Sequence, residues 1–122
     1  MKKDPAIYLS HIHEAITAIL NFTRGITEEE FYHSDLIISA VVRKFEIMGE
    51  AAKRIPDEIR LASPEIPWKQ MAGFRDVLIH DYDGLNLNTI WVTVTLHLPK
   101  LEKQIQSILD KSLPPNEELT ES

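Results

Sequence analysis

The 122-residue chain has no cysteine. Disulfides, thiolate metal sites and a cysteine nucleophile are therefore excluded. It has no run of about 18 apolar residues, so no helical membrane span is expected. The opening Met-Lys-Lys-Asp-Pro is charged and no apolar signal core follows it, which makes a cytoplasmic protein the expectation. Glycine-rich phosphate loops, HExxH and GxSxG are all missing. Positive charge is scarce too: 13 Lys and Arg face 19 Asp and Glu, for a net charge of -6. That balance counts against a generic nucleic-acid binder.

What is present suits one modest core, with 43% hydrophobic residues and 26% charged. Charge is unevenly spread. Residues 1–35 hold 3 Lys/Arg and 6 Asp/Glu; residues 36–75 hold 7 and 5; residues 76–122 hold 3 and 8. Only the middle third is net positive, so a local basic surface on an acidic protein is expected there.

Helical spacing dominates. Asp4-Pro5 reads as a helix start, and Leu9, Ile12, Ile16 and Ile19 follow on one face. Gly25 is the natural stop. Thr27-Glu28-Glu29-Glu30 reads as a capping box before Phe31 and Tyr32. Ser34 or Asp35 can cap a second long helix with the stripe Ile38, Val41, Phe45, Met48, Ala52 and Ile55, ended by Pro56. Gly49 inside it points to a close helix crossing. Residues 56–62 can add a short helical turn, and residues 63–67 read as a loop. A helix from Trp68 toward His80 follows, with Gly84 and Asn86 punctuating its end. A final helix carries Leu87, Val94, Leu98, Leu101, Ile105 and Ile108, with a kink expected at Pro99. Alternation over Trp91 to Thr95 makes a strand the rival reading, but one strand would have nothing to pair with. The expectation is an all-α, up-and-down bundle of four to five helices over residues 1–112, with a disordered C-terminal tail at 113–122.

Chemistry is sparse outside one segment. His11 and His13 lie two apart on one helix and make a poor metal pair; His33 and His97 are isolated. The segment from Met71 to Gly84 is more informative. With Met71 at zero on a helical wheel, Arg75 falls at about 40°, inside the apolar arc of Phe74, Leu78 and Ile79. A guanidinium there needs an anion, a carbonyl or a cleft. His80 falls at about 180°, so one regular helix cannot bring it and Arg75 to one small group. Either the helix ends near Ile79, or the site is composite across a two-fold axis. The plainer reading leaves Arg75 paired with Glu46 or Glu50, and His80, Asp81 and Tyr82 merely finishing a helix.

Arg75-x4-His80, with Asp76 after the arginine and Tyr82 two after the histidine, resembles the R-x(4–6)-H-x-Y motif of HepT-like proteins in the HEPN superfamily of small helical ribonucleases. The blocks Ile47-Met48-Gly49-Glu50-Ala51-Ala52-Lys53-Arg54, Pro64-Glu65-Ile66-Pro67-Trp68, Gly73-Phe74-Arg75, His80-Asp81-Tyr82 and Leu98-Pro99-x-Leu101 agree, in order, over roughly residues 5–110. The resemblance implies a HEPN-like toxin of a toxin–antitoxin pair. It implies a metal-independent endoribonuclease with no cofactor of its own, acting as a homodimer whose motifs line one cleft. Arg75 and His80 would be catalytic, with Asp76, Asp81 and Glu50 in support. The implied partner is an MntA-type nucleotidyltransferase antitoxin that uses ATP to transfer AMP to Tyr82. RNA would lie on the basic middle third, at Arg43, Lys44, Lys53 and Arg54, although a solvated helix face with pairs such as Glu50–Arg54 reads the same residues. The competing expectations are a non-catalytic binding module for the nucleotidyltransferase and a nucleotide-binding bundle cleft.

Overall fold

The computed structural model describes residues 4–80 and 86–112, and for residues 75–80 and 112 it gives the course of the backbone. Helix α1 spans Pro5–Phe22. The Asp4 carboxylate accepts the Ala6 amide at 2.9 Å and satisfies one of the unpaired N–H groups of the first turn. Leu9, Ile12, Ala15, Ile16 and Ile19 form its buried stripe. Thr23 closes the helix by donating its hydroxyl to the Ile19 carbonyl at 2.9 Å, and Gly25 turns the chain at φ +79°, where an L side chain would be strained.

The short α2, Glu28–Tyr32, starts with the expected capping box and buries Phe31. Helix α3, Asp35–Ala52, is capped by Ser34 rather than Asp35, its hydroxyl accepting from the Ile37 amide at 3.1 Å. Its buried face holds Val41, Phe45, Met48 and Ala52, and the mid-helix Gly49 is buried as well. Arg60 of α4 (Asp57–Ala62) satisfies the open end of α3. It donates to the Ala52 and Ile55 carbonyls, both at 3.0 Å. Helix α5 spans Trp68–His80.

The predicted last helix is not continuous. It consists of α6, Leu87–Val92, a π-helical turn over Thr93–His97, and α7, Leu98–Ser112. Asn86 caps α6 by accepting from the Thr89 amide at 3.0 Å, so it opens this helix rather than punctuating the one before. The kink expected at Pro99 takes the form of the π turn just before it. Proline has no N–H for the Thr95 carbonyl and crowds it, and the widened turn instead bonds the Leu98 amide to the Thr93 carbonyl. The strand alternative at 91–95 is overturned. Thr93 and Thr95 donate back to the Thr89 and Trp91 carbonyls at 2.8 and 2.9 Å, a helical pattern.

Helix α3 packs between α1 and α5, and α1 also packs on α7. The described residues are all-α: four long helical runs with two short helices between them. Ile12, Ile16, Ile19, Phe31, Phe45 and Ile105 are fully enclosed, and each such side chain contributes about 1.5–3 kcal/mol of burial. Among the described residues no helix is long and apolar enough to cross a membrane.

Candidate functional site

Helix α5 carries the segment that the sequence singled out. Its N-terminal half is firmly seated. Trp68 is buried and donates its indole N–H to the Ser63 carbonyl at 3.0 Å. Met71 is buried, and the Phe74 ring stacks on Phe45 of α3 at 4.3 Å with the planes 23° apart. Trp91, the other indole, lies half-buried against Phe31 at 5.3 Å. Both tryptophans therefore pack against the core, Trp68 buried and Trp91 half-buried.

Arg75, Asp76 and His80 all lie on α5, whose helical backbone runs through His80. His80 is its last residue, one position beyond the end expected near Ile79. Five positions of regular helix set Arg75 and His80 about 140° apart around the axis and about 7.5 Å apart along it. Asp81 and Tyr82 lie outside the described residues.

Of the other candidates, Glu50, Arg43 and Lys44 sit on α3, and Lys53 and Arg54 directly follow its last residue, Ala52. Glu50 is exposed, its carboxylate 3.6 Å from Arg54. Glu46 is half-buried and 3.4 Å from Arg43. Each carboxylate thus has an arginine close in sequence within reach. Arg43 and Lys44 are successive residues of α3, about 100° apart around it. Lys53 and Arg54 follow its last residue, Ala52, and the Arg54 guanidinium lies over the Tyr8 ring of α1, 5.9 Å from its centre. The four basic residues therefore do not form one helical stripe.

Three other histidines have structural neighbours. His13 meets Glu102 at 2.9 Å and ties α1 to α7. His11 lies edge-on to Tyr8 at 6.3 Å, and His33 contacts the Glu29 carbonyl at 2.9 Å.

Three features escaped the sequence reading. Tyr32 donates to Glu28, and Asn88 donates to the same carboxylate at 3.2 Å, joining α2 to the start of α6. The Glu28 carboxylate accepting its hydroxyl proton holds Tyr32 above the ordinary phenol value. Partners 60 residues apart in sequence leave no local signal. Arg60 is the second feature, an arginine committed to capping α3. The third is a cavity of about 330 Å3 between α3, α5 and the π turn.

With this geometry in hand, comparison with known proteins is informative. A family model described as "Ribonuclease HepT-like" matches residues 12–108, which takes in α3, α5 and most of α7. A protein of Caldanaerobacter subterraneus subsp. tengcongensis named "Putative RNase TTE0752" is 42% identical over 109 residues, covering 89% of this chain and 97% of its own. "Probable ribonuclease HepT" of Thermococcus cleftensis is also 42% identical, over 108 residues, covering 88% of this chain and 98% of its own. No solved structure gives a significant match. A profile that runs through both packed seams of α3, together with full-length relatives of this similarity, places the chain in the HepT-like ribonuclease family.

Proposed function

We propose that this protein is an endoribonuclease toxin that cleaves RNA without a metal ion, at a site completed by a second copy of the chain. The observation that carries the reading is Arg75 and His80 on one unbroken helix, in a chain of a ribonuclease family. Residues about 140° apart on one helix do not converge on one phosphate, whereas two antiparallel copies of α5 can present the arginine of one beside the histidine of the other.

In that cleft Arg75 holds the scissile phosphate and offsets charge developing on its non-bridging oxygens. His80 as general base takes the proton of the ribose 2′-hydroxyl. The 2′-oxygen attacks phosphorus, the bond to the 5′-oxygen breaks, and the leaving oxygen takes a proton from the second, protonated His80. The products are a 2′,3′-cyclic phosphate and a 5′-hydroxyl. Asp76 orients the arginine or the histidine, with Glu50 and Asp81 in support. RNA on either side rests on Arg43, Lys44, Lys53 and Arg54. The partner is an MntA-type nucleotidyltransferase that transfers AMP from ATP to Tyr82. That transfer adds bulk and negative charge where the substrate phosphate must sit.

The deciding experiment incubates unmodified wild-type and His80→Ala protein with total RNA in EDTA and reads the new ends. Cleavage by wild type alone, leaving cyclic phosphate, is the expected result. No cleavage by wild type, with intact mass confirming the absence of AMP, would turn the reading to a non-catalytic partner-binding module. Tyr82→Phe is expected to abolish the mass added by the nucleotidyltransferase and ATP.

A further inference from the structure

Helix α1 meets α3 along a seam that large side chains fill at most positions. Leu9, Ile12, Ile16 and Ile19 are sealed in it, but Ala15 ends at Cβ. Over Ala15 lies a groove of about 210 Å3. His11 and Glu14, one turn apart on α1, line it from one side; Lys44 and Ile47, one turn apart on α3, line it from the other. Lys44 and Ile47 are half-buried, whereas His11 and Glu14 are exposed. We propose that this groove is a backbone subsite for RNA, with a phosphate on Lys44 and an adjoining ribose 2′-hydroxyl on Glu14. The proposal rests on the ribonuclease reading and adds contacts on α1 to the basic residues named there.

Three observations favour a ribose phosphate as the occupant. Lys44 and Glu14 line the same groove yet form no ion pair, and neither has another partner among the described residues. Opposite charges held apart across a groove suit a ligand that brings both an anionic oxygen and a hydroxyl proton. The ammonium donates to phosphate, and the carboxylate can only accept, so it takes the proton of the 2′-hydroxyl. That hydroxyl is what separates RNA from DNA. The second observation is size. The groove is smaller than the ~300–1,000 Å3 of clefts that enclose whole ligands, so it takes sugar and phosphate and leaves the base outside. Ile47 offers an apolar surface to the sugar carbons, and a ring N–H of His11 can join Lys44 on the phosphate. The third observation is continuity. His11 meets Tyr8 edge-on at 6.3 Å, and the Arg54 guanidinium lies 5.9 Å from the Tyr8 ring centre, with Glu50 3.6 Å away. The next phosphate thus finds a cation about one turn of α1 further along the seam.

The test reads binding apart from cleavage. Fluorescence anisotropy uses one labelled 10-mer sequence of A and C, made as RNA, as DNA and as 2′-fluoro RNA, which keeps the RNA sugar shape without a hydroxyl proton. His80→Ala protein is the background throughout, and a gel shows that the RNA stays whole. RNA should bind about three- to ten-fold more tightly than the other two, the range of one exposed hydrogen bond. Lys44→Gln should weaken all three about ten-fold and lower the salt slope by about one. Glu14→Ala should bring RNA down to the level of DNA while DNA binds as well or better, because a negative charge has gone. Glu14→Gln, which keeps an acceptor oxygen, should retain part of the preference for RNA. The proposal is overturned if no oligomer binds, if RNA and DNA bind alike before the groove is altered, or if Lys44→Gln changes neither affinity nor slope while circular dichroism shows it folded. A joint rise for RNA and DNA in Glu14→Ala would also overturn it, since the carboxylate would then only repel. So would displacement of the RNA by micromolar AMP that fails in Lys44→Gln protein, which would give the groove to a free nucleotide. Wild-type protein that cleaves no RNA would sink the ribonuclease reading, and the binding comparison would still decide the groove. Cleavage beside binding indifferent to Lys44 and Glu14 would sink the groove alone.

Discussion

The two sides of α3 are packed in different ways. Toward α1 the core is built from Leu9, Ile12, Ile16 and Ile19, all essentially sealed from solvent. Toward α5 it is built from Phe45, Met48, Met71 and Phe74, with Phe74 only half-buried and a cavity left beside it. Branched aliphatic chains have few rotamers and fill space closely. Rings and thioethers tolerate gaps and can be approached from outside. Both seams bury core side chains, and α5, the helix of the second, is the one that also carries Arg75 and His80. The contrast is one of side-chain type, with the rings and thioethers on the side of the candidate residues.

Several substitutions would break or sharpen that division. The largest effect is expected from His80→Ala, which should lower RNA cleavage by about 10²–10⁴-fold while leaving thermal unfolding unchanged. A matching fall in Tm would erase the distinction between site and scaffold. Ile16→Ala on the α1 side should cost about 2–5 kcal/mol of stability by urea denaturation. Met71→Ala, on the side that already contains a void, should fall at the low end of that range; an equal or larger cost would contradict the contrast between the seams. Thr27→Ala removes the cap of α2, away from both seams, and should cost about 1 kcal/mol with cleavage intact. Tyr32→Phe should have the smallest effect, and one with a pH signature. A phenol held above its ordinary 10.0 in the folded state stabilises the fold below that value. The stability is lost as pH rises through the shifted value, so the gap between wild type and Tyr32→Phe should close in strongly alkaline solution.

Much of the fold was legible because its signals are local. Asp4, the Thr27–Glu30 box and Ser34 cap the helices that their positions predicted, and the stripes of α1 and α3 are the buried faces. The unexpected features depend on more than spacing. Pro99 announced an irregularity, but the choice of a π turn over a bend follows from the widened ladder upstream of it. Asn86 reads equally well as the end of one helix or the start of the next, and only the Thr89 amide settles it. Arg60 lies in the net-positive middle third, whereas its guanidinium donates to the Ala52 carbonyl at the end of α3 and to the Ile55 carbonyl just beyond it. For the candidate site, wheel geometry already separated Arg75 from His80, and the helical backbone of α5 reaches His80 as its last residue. The four basic residues were visible as a composition, but only the helix bound at Ala52 separates Arg43 and Lys44 from Lys53 and Arg54.

The π turn also bears on chain length. It holds one residue more than an α-helical path between α6 and α7 would need. Deleting Thr95 would set Ile90 and Leu98 seven positions apart, still on one face of an α-helix, but would press the carbonyl four residues before Pro99 against the proline ring, at a cost of about 3 kcal/mol. What it would lose is the bulge that carries Thr93 and His97. The extra residue is thus the room a proline needs to sit inside a continuous helical run.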